Sequence, residues 1–495
     1  MGERAAVLAV DIGTSATKAV LFDGDGRVLT LTRHAYPLLT PRPEWAEQDP
    51  DAVTAAVLDA MREAYANRPS GTAVAAVTLS CQWYSVLPVD GADRPLSPFL
   101  TWSDRRSAAI AERLRRSSAG RSIYQTTGCP LDAIYPLAKI GWLREQAFAP
   151  RVARYISIKE YVVRRLFGEY LVDWSMASSS GLFDIRDRRW DPTALAAAGA
   201  REGQLSPPVS PKTLLTCWRP EILTHTGIPS GTPCVLGAGD GVLASIGVGA
   251  IGPGVAAVNV GTSAACRCLV QEPLVDPRGQ LWTYALDEDW WVTGGIVSSG
   301  AVVYEWFLRN FAPGVATPET IHAMVNERVA TVAPGAEGLI FLPYLSGEQC
   351  PVWDPETTGG FHGLTLRHTR DHAARAVLEG ITASIARILE SLRERFGAIE
   401  ELRVTGGLVN SSTWLQIAAD LFGARIALPK TTEGSALGAA ILAWVALGMA
   451  PDYGVARTIA RTAGIIAPDA DRQTLYRNYL ERAARLLAAV KSVQG

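Results

Sequence analysis

Hydrophobic and polar residues alternate at the start of the chain in the way that β-strands require. The segment AVDIGTSATKAVLFDGDGRVL, residues 9–29, is rich in small and β-branched residues. Its apolar runs are broken by the turn Gly13-Thr14-Ser15 and by a second turn at 23–26. Two turns between apolar runs predict consecutive antiparallel strands.

Longer windows carry the spacing of helices instead. Apolar residues recur every three or four positions in 50–65, 371–392 and 414–423, which predicts a helix over each range. The apolar stripe of 371–392 is assigned to the core rather than to a binding function. Between these helices, VAAVTLS at 74–80 and TPCVLGAG at 232–239 are predicted as strands.

One pattern occurs twice. AVDIGTSA begins at residue 9 and returns as AVNVGTSA from residue 257, about half the 495-residue chain later. Each copy is followed by strands and then by alternating strands and helices, so we predict a duplicated α/β protein with a mixed sheet in each half. The boundary is expected near 250–256, which gives an N-terminal domain, 1–250, and a C-terminal domain, 251–495.

Length and composition indicate an ordinary globular protein of two or more domains, without the charge of a protein that binds charged polymers. Hydrophobic residues make up 48% and charged residues 19%, and the formal net charge is -2. We therefore expect no nucleic-acid partner and no membrane association. The uncharged stretch 241–266 is broken by glycines and a proline, so it is not predicted to span a membrane. The charge run 104–106 is expected on a solvated helix face.

The seven cysteines are scattered through the chain without a CxxC pair or a histidine cluster. This spacing does not indicate a zinc site, and it suits a reducing compartment. We therefore expect a cytoplasmic protein.

The repeated turn has a chemistry suited to phosphate. Gly13 lets the backbone approach a ligand closely, and the hydroxyls of Thr14 and Ser15 add donors to the exposed N–H groups. Gly261 and Thr262 repeat the turn in the second half. A single such turn is equally well explained as a hairpin, but two could hold a polyphosphate from opposite sides of a cleft.

The two copies differ at one chemically important position. Asp11 of the first copy becomes Asn259 in the second. Mg²⁺ requires one or two carboxylates together with waters and phosphate oxygens, whereas a second acid would repel a triphosphate. Asp11 is therefore the predicted metal ligand, and Lys18 on the next strand is predicted to reach the terminal phosphate.

A third glycine-rich element, RVTGGLVNSSTWLQIAAD at 403–420, reads as a strand, a double glycine and a helix. Close backbone approach at Gly406 and Gly407 suits a flat adenine ring, with Ser411 nearby. The alternative is that Ser411 or Ser412 simply caps the helix.

Asp240 is the candidate general base. It lies in LGAGDGVLASIG, after a predicted buried strand and before a helix, and glycines on both sides leave room for a substrate. The alternative is an N-cap with no catalytic role.

These motifs together resemble the FGGY family of carbohydrate kinases, in the actin, Hsp70 and hexokinase superfamily of two-domain ribonuclease-H-like ATPases. The resemblance covers nearly the whole chain and is carried by DIGTSATK at 11–18, NVGTSA at 259–264, GAGDG around Asp240 and the 403–420 segment. It implies two ribonuclease-H-like domains with an interdomain cleft, ATP and Mg²⁺ as cofactors, and Asp240 as the catalytic residue.

Within the family the chain is most similar to gluconate kinases, through EWAEQDP at 44–50, TGCPLDAIYPLAKIGWL at 127–143 and LPYLSGEQCPVW at 342–353. Gluconate is therefore the expected substrate. The resemblance also implies a substrate pocket with the following members: Gln82, Trp83, Tyr84, Trp102, Asp104, Asp132 and Asp240.

Several pocket positions depart from the gluconate-kinase pattern. Trp83-Tyr84 stands where gluconate and xylulose kinases carry Met-His, Asp132 stands where a His is usual, and Gln349 stands where a positive charge is expected. These replacements favour the alternative of a neutral ketose or polyol of the xylulose, ribulose, glycerol or erythritol type. Core packing is the alternative for Trp83 and Tyr84.

A non-catalytic ATP-binding protein of the actin or Hsp70 type is the alternative from another class, because fold alone does not decide function. TWSDRR at 101–106 and Asp240 favour the enzyme, since a filament or chaperone needs neither. The predicted partner is a small sugar, sugar acid or polyol, and a homodimer is left open.

Overall fold

The computed structural model describes residues 5–311 and 327–494. Two large mixed sheets organise it, one of six strands in the first half and one of seven strands in the second. The observed fold agrees with the predicted duplicated α/β architecture.

The first half contains these strands: β1 Ala6–Ile12, β2 Ala16–Phe22, β3 Val28–Ala35, β4 Glu47–Gln48, β5 Val74–Cys81, β6 Leu87–Val89, β7 Phe99–Leu100, β8 Arg154–Ile156, β9 Val172–Asp173, β10 Phe183–Asp184, β11 Arg189–Trp190, β12 Pro208–Val209, β13 Leu214–Leu215 and β14 Cys234–Gly239. Its helices are α1 Pro50–Ala66, α2 Ala108–Arg116, α3 Gly120–Thr127, α4 Pro136–Leu143, α5 Ile158–Phe167, α6 Trp174–Ser178, α7 Pro192–Ala198, α8 Pro220–Thr226 and α9 Asp240–Gly247.

The second half contains these strands: β15 Val255–Val260, β16 Ala264–Val270, β17 Trp282–Ala285, β18 Trp291–Val297, β19 Ile340–Leu342, β20 Gly360–His362, β21 Glu401–Gly406, β22 Arg425–Pro429 and β23 Thr462–Ile466. Its helices are α10 Ala301–Phe311, α11 Arg370–Phe396, α12 Ser412–Phe422, α13 Gly434–Ala446, α14 Ala456–Ile459 and α15 Ala470–Gln494.

The two sheets share one topology. In the first, β1 pairs antiparallel with β2 and parallel with β5, and β14 continues the parallel side. In the second, β15 pairs antiparallel with β16 and parallel with β21, and β22 continues that side. The repeated turns therefore occupy equivalent places, between the first two strands of each sheet.

The predicted elements lie close to the observed ones. The strand predicted at 232–239 is the buried strand β14, and the helix predicted at 371–392 extends to Phe396. The apolar stripe of α11 is buried in the core of the second half, as predicted, including Ile381, Ile385 and Ile388.

Helix α13 connects the two halves, because it follows strands of the second sheet but packs against the first. Trp444 is fully buried in the hydrophobic core that β1, β5 and β14 build, and its indole Nε1 donates to Ala5 O at 2.8 Å. Two glycines let α13 cross α9 closely. A Cβ on Gly247 would lie 1.9 Å from Gly434 O, and one on Gly438 would lie 1.8 Å from Leu243 O.

No helix among the described residues is long and apolar enough to cross a membrane. The uncharged stretch 241–266 instead forms all of α9 after Asp240, the strand β15 and the start of β16. All seven cysteines are free thiols, and six of them are buried.

Candidate active site

Backbone and side-chain hydrogen bonds hold the first repeated turn in place. Gly13 N donates to Ala16 O at 3.1 Å and closes the turn between β1 and β2. The Thr14 hydroxyl donates to Gln82 Oε1 at 3.1 Å and accepts from Trp102 Nε1 at 2.9 Å. Two residues predicted for the substrate pocket, Gln82 and Trp102, thus brace a turn predicted for phosphate, while Ser15 is exposed.

Asp11 lies beside that turn in a row of polar side chains across the sheet. It is the register partner of Lys18 on β2 and of Ser80 on β5. Ser80 Oγ donates to Asp11 Oδ1 at 2.6 Å. Burial raises the pKa of the Asp11 carboxyl, and the Ser80 hydrogen bond and the Lys18 charge oppose that rise.

Lys18 pairs with an acid that the sequence analysis did not single out. Its ammonium lies 2.7 Å from Glu433 Oε2, in the loop that precedes α13. Because the two residues are 415 positions apart, the ion pair links the first sheet to the second half of the chain. Only the folded chain could reveal this pairing.

The second turn and the double glycine lie on adjacent strands. Asn259 Nδ2 donates to Thr405 Oγ1 at 3.0 Å, Gly261 N donates to Ser263 O at 2.9 Å, and Thr262 is exposed. Gly406 has φ +88°, and a Cβ there would lie 2.3 Å from the backbone of β15. A glycine is therefore required at 406 by both backbone conformation and space.

Ser411 acts as the cap of α12. Its hydroxyl accepts a hydrogen bond from Trp414 N at 3.0 Å. The N-cap interpretation of Ser411 is confirmed, and Gly407 begins the short 3₁₀ turn that leads to it. The turn after β21 thus brings 407–411 beside the second repeated turn.

Asp240 begins α9 directly after β14. The N-cap residue of this helix is Gly239, and the helix has no side-chain cap, so the N-cap alternative for Asp240 is wrong. Burial raises the pKa of the Asp240 carboxyl to about 7, with a further increase from the Asp11 charge and a decrease from Arg267. A carboxyl with this pKa can exchange a proton near neutral pH.

The indole of Trp83 packs against the two glycines on either side of Asp240. A Cβ on Gly239 would lie 1.7 Å from Trp83 Nε1, and a Cβ on Gly241 would lie 2.3 Å from its Cζ3. The indole N–H donates to Ser175 Oγ at 3.2 Å. The glycines around Asp240 therefore make room for this indole, a reason that the sequence did not disclose.

Tyr84 is buried in an aromatic cluster that both halves build. Its hydroxyl lies 3.2 Å from that of Tyr284, which in turn lies 2.8 Å from the hydroxyl of Tyr135. Trp282 stacks on Tyr284 with ring centroids 4.4 Å apart. The core-packing interpretation of Trp83 and Tyr84 agrees with their exposures of 3% and 5%.

Asp104 lies in a buried ionic network. Its carboxylate accepts from Ala46 N at 2.7 Å and from Arg106 Nε at 2.9 Å. Arg106 also bonds Glu47 at 2.7 Å and covers the Trp45 ring. The expectation of a solvated charge run is wrong here, because an acid and a base two residues apart neutralise each other inside the fold.

Asp132 is also paired inside the protein. Its Oδ1 accepts from Ile134 N at 3.0 Å and lies 3.4 Å from Arg105 Nη1. The side chain of Lys139 is buried nearby and donates to three backbone carbonyls, those of Tyr84, Thr101 and Ile134. The negative charge of Asp132 is thus balanced by Arg105.

Arg267 on β16 lies near Trp83 and Asp240, and sequence reasoning did not single it out. Its guanidinium lies 5.9 Å from the centroid of the Trp83 ring, and its charge acts on the carboxyl of Asp240. The available signal was a single charge in the apolar strand AACRCLV, placed shortly after the second repeated turn.

The few carboxylates at the site suit a metal ion that keeps most of its water ligands. Among residues 5–311 and 327–494, no group of three or more His, Cys, Asp or Glu side chains could hold a metal. Asp11 and Asp240 nevertheless lie near enough for the charge of one to act on the other. Such a set fits Mg²⁺, which binds through one or two carboxylates, waters and substrate phosphates.

Comparison with known families covers both halves of the chain. Residues 6–247 match the profile of the FGGY family of carbohydrate kinases, N-terminal domain. Residues 256–447 match the profile of the C-terminal domain of the same family.

Individual relatives give the same result over nearly full length. A gluconokinase of Bacillus subtilis is 36% identical over 450 residues, covering 89% of this chain and 88% of the relative. The crystal structure of gluconate kinase from Lactobacillus acidophilus superposes with a TM-score of 0.93 and 30% identity, over 98% of each chain. The structure of ligand-bound xylulose kinase from the same species has the same TM-score, identity and coverage.

Proposed function

Because this chain belongs to the FGGY family of carbohydrate kinases, we propose that it transfers the γ-phosphoryl group of ATP to a primary hydroxyl of gluconate. The chain is a phosphotransferase that uses an alcohol acceptor and ATP as the phosphate donor. Family membership decides against the non-catalytic alternative. The structural observation that carries the proposed chemistry is the buried Asp240 carboxyl beside Asp11.

The proposed nucleotide site lies between the two repeated turns. Thr14 and Ser15 of the first turn, with Gly261 and Thr262 of the second, would donate to the phosphates. Gly406, Gly407 and Ser411 would lie beside adenosine. This assignment is supported by the exposure of Ser15 and Thr262 and by the matching places of the two turns in their sheets.

Asp11 is the proposed ligand of Mg²⁺, held through water, and Mg²⁺ when bound would neutralise charge on the phosphates. We expect Asp11→Asn to abolish turnover, because an amide cannot supply the negative charge. Activity of the variant titrated against MgCl₂ is the measurement. An unchanged rate and an unchanged Mg²⁺ dependence would contradict the assignment.

In the proposed reaction Asp240 takes the proton of the substrate hydroxyl. The hydroxyl oxygen forms a bond to the γ-phosphorus while the bond from that phosphorus to the β,γ-bridging oxygen breaks, and ADP leaves. A carboxylate that holds the hydroxyl in line both orients the oxygen and accepts its proton. The raised pKa of Asp240 supports this role, since a base near pKa 7 is effective at neutral pH.

Gluconate is proposed from the relatives, in particular the Bacillus subtilis gluconokinase. A neutral ketose or polyol is the second candidate. It is favoured by the departures from the gluconate-kinase pattern at Trp83, Tyr84 and Gln349. The equal similarity to a xylulose kinase structure also supports it.

A screen for ADP release would test the substrate directly. Purified enzyme is supplied with Mg-ATP and with aldonates, ketopentoses, ketohexoses and polyols of three to six carbons. We expect gluconate to give the highest kcat/KM. If gluconate fails while a neutral ketose or polyol is turned over, the second candidate replaces the first.

We further propose that the enzyme works in a reducing compartment, the cytoplasm. The seven free thiols support this, because disulfides form and persist in oxidising compartments but are rare in the cytoplasm. The homodimer stays a prediction, which sedimentation velocity would test.

A further inference from the structure

We propose that Arg267 binds the carboxylate of the sugar-acid substrate and thereby selects acids over the corresponding neutral polyols. This inference rests on the proposed function and adds to it the residue that recognises the acid group. It is carried by the position of Arg267 in the second sheet and by the lack of a carboxylate partner for it among residues 5–311 and 327–494.

Strand alternation directs Arg267 toward the first half of the chain. On β16, Cys266 and Cys268 are buried in the core of the second half, and Leu269 packs in the core of the first. Arg267 shares the face of Leu269, because successive side chains of a strand point to opposite faces. Its neighbour across the sheet, Gly294, has no side chain to cover it.

Trp83 connects Arg267 to the candidate base. The guanidinium lies 5.9 Å from the Trp83 ring, and the same indole fills the space at Gly239 and Gly241, on either side of Asp240. Arg267 and Asp240 therefore approach one indole from the two halves of the chain. A substrate in contact with both groups would lie between a cation and the candidate base.

Within the described ranges, three other cations near the site have acidic partners, and the buried Lys139 is occupied by backbone carbonyls. Lys18 pairs with Glu433, Arg105 with Asp132, and Arg106 with Asp104 and Glu47. These pairings leave none of the three guanidinium or ammonium groups free for an acidic substrate.

Arg267 differs from all of them. It has no ion pair in the part of the chain that the structure describes, and its Nε is buried without a hydrogen-bond partner. A buried polar group without a partner costs free energy, which an incoming ligand can recover. A guanidinium is also the side chain that matches a carboxylate in shape and charge.

The charge of the site makes such a residue necessary for an acid. Asp11 and Asp240 both repel an anionic substrate, and the triphosphate adds further negative charge. The alternative role for Arg267 is a cation–π contact with Trp83, which would serve an acidic and a neutral substrate equally well. The two roles differ in one measurable quantity, the discrimination between an acid and its neutral analogue.

The test compares two matched substrate pairs, gluconate with glucitol and xylonate with xylitol, in which a carboxylate replaces a hydroxymethyl group. The variant is Arg267→Met, and Arg267→Lys retains the positive charge. Arg403→Met is the matched control, because Arg403 lies in the same row of the sheet but is paired with Glu401 at 2.8 Å.

We expect wild-type enzyme to prefer each acid, and Arg267→Met to lower the acid-to-neutral ratio of kcat/KM by about 100-fold, the scale of a lost charged contact. The loss should appear mainly in KM, Arg267→Lys should restore the ratio to within about tenfold of wild type, and Arg403→Met should leave it unchanged. ATP affinity by calorimetry verifies that each variant is folded.

The outcomes separate the two hypotheses. If wild type prefers the acids and Arg267→Met retains that preference, the inference is overturned while the proposed function stands. If wild type prefers the neutral partners, gluconate is overturned and the carboxylate role of Arg267 is overturned with it. If Arg267→Met does not fold, Arg267→Gln replaces it in the same comparison: a ratio lowered by about 100-fold supports the inference, and a ratio equal to that of Arg403→Met overturns it.

Discussion

Asp240 carries an acidic group at a position where burial makes its charged form costly. Its carboxyl is raised to a pKa of about 7 by burial and by the neighbouring Asp11. The structure gives it no capping role, so local folding does not account for an acid at this position. A group kept at an energetic cost is a good candidate for chemistry.

The first prediction concerns Asp240→Asn. An amide cannot take the proton of the attacking hydroxyl, so kcat should fall by about 100-fold or more. ATP affinity should stay close to wild type. Steady-state kinetics and calorimetry measure the two quantities, and a kcat within a few-fold of wild type would remove Asp240 from the mechanism.

The same substitution should change stability in a pH-dependent way. The folded pKa of Asp240 lies above the unfolded value of 3.8, so folding favours the protonated form and stability falls as pH rises from about 4 to about 7. Asp240→Asn removes this penalty. We expect the variant to be more stable than wild type at pH 8, with the difference vanishing near pH 4, in urea unfolding at both pH values. A variant less stable than wild type at pH 8 would contradict the buried, charged carboxylate.

The pH profile of the wild-type enzyme provides a third prediction. Because the base must be deprotonated, kcat/KM should be constant at high pH and fall about tenfold per pH unit below about 7. A profile measured with Mg-ATP saturating at each pH tests this. An activity that stays flat down to pH 5 would assign the base to another group.

At the scale of elements, the crossing of α9 and α13 depends on glycine. Gly438 lets α13 approach so closely that a Cβ would lie 1.8 Å from Leu243 O. Since Asp240 begins α9, this crossing also fixes the position of Asp240 relative to α13. The backbone carbonyl at the contact cannot move aside as a flexible side chain could.

We therefore expect Gly438→Ala to lower the free energy of unfolding by about 1 to 3 kcal/mol, the usual cost of overpacking a core. Gly434→Ala is the control, because a Cβ there would lie 3.4 Å from the Val248 side chain. Urea unfolding of both variants is the measurement. Equal free energies of unfolding for the two variants would contradict the prediction, because they would mean that α9 and α13 can move apart to admit a Cβ at Gly438.

At the scale of the whole molecule, polar contacts join the two halves. The Lys18–Glu433 pair joins β2 to the loop before α13. The contact between the hydroxyls of Tyr84 and Tyr284 joins the two halves within the aromatic cluster. The ion pair must be displaced if the Lys18 ammonium is to reach a phosphate. Glu433 would then face the triphosphate with the same sign of charge.

We accordingly predict that Glu433→Gln tightens ATP binding by about three- to tenfold, since the competitor of the phosphates is removed. Lys18→Met should weaken binding instead. Calorimetric titration with Mg-ATP measures both variants. Weaker binding by Glu433→Gln would mean that the acid helps to hold the nucleotide.

The sequence by itself determined the architecture and the family. The repeat of GTSA after a strand, at 13–16 and 261–264, indicated duplication, and strand and helix periods set most of the element positions because burial has a period of two or about 3.6. The family motifs then identified a kinase. Local patterns suffice for these features because they are written in neighbouring residues.

Only the tertiary structure decided the partners of the charged side chains. Lys18 meets Glu433, Asp132 meets Arg105, and Asp104 is buried with Arg106, none of which a linear pattern could specify. For the same reason Arg267 appeared in the sequence as one charge in an apolar strand. Its place beside Trp83 and Asp240 depends on the packing of two distant segments, because electrostatic energy depends on distance in space and not along the chain.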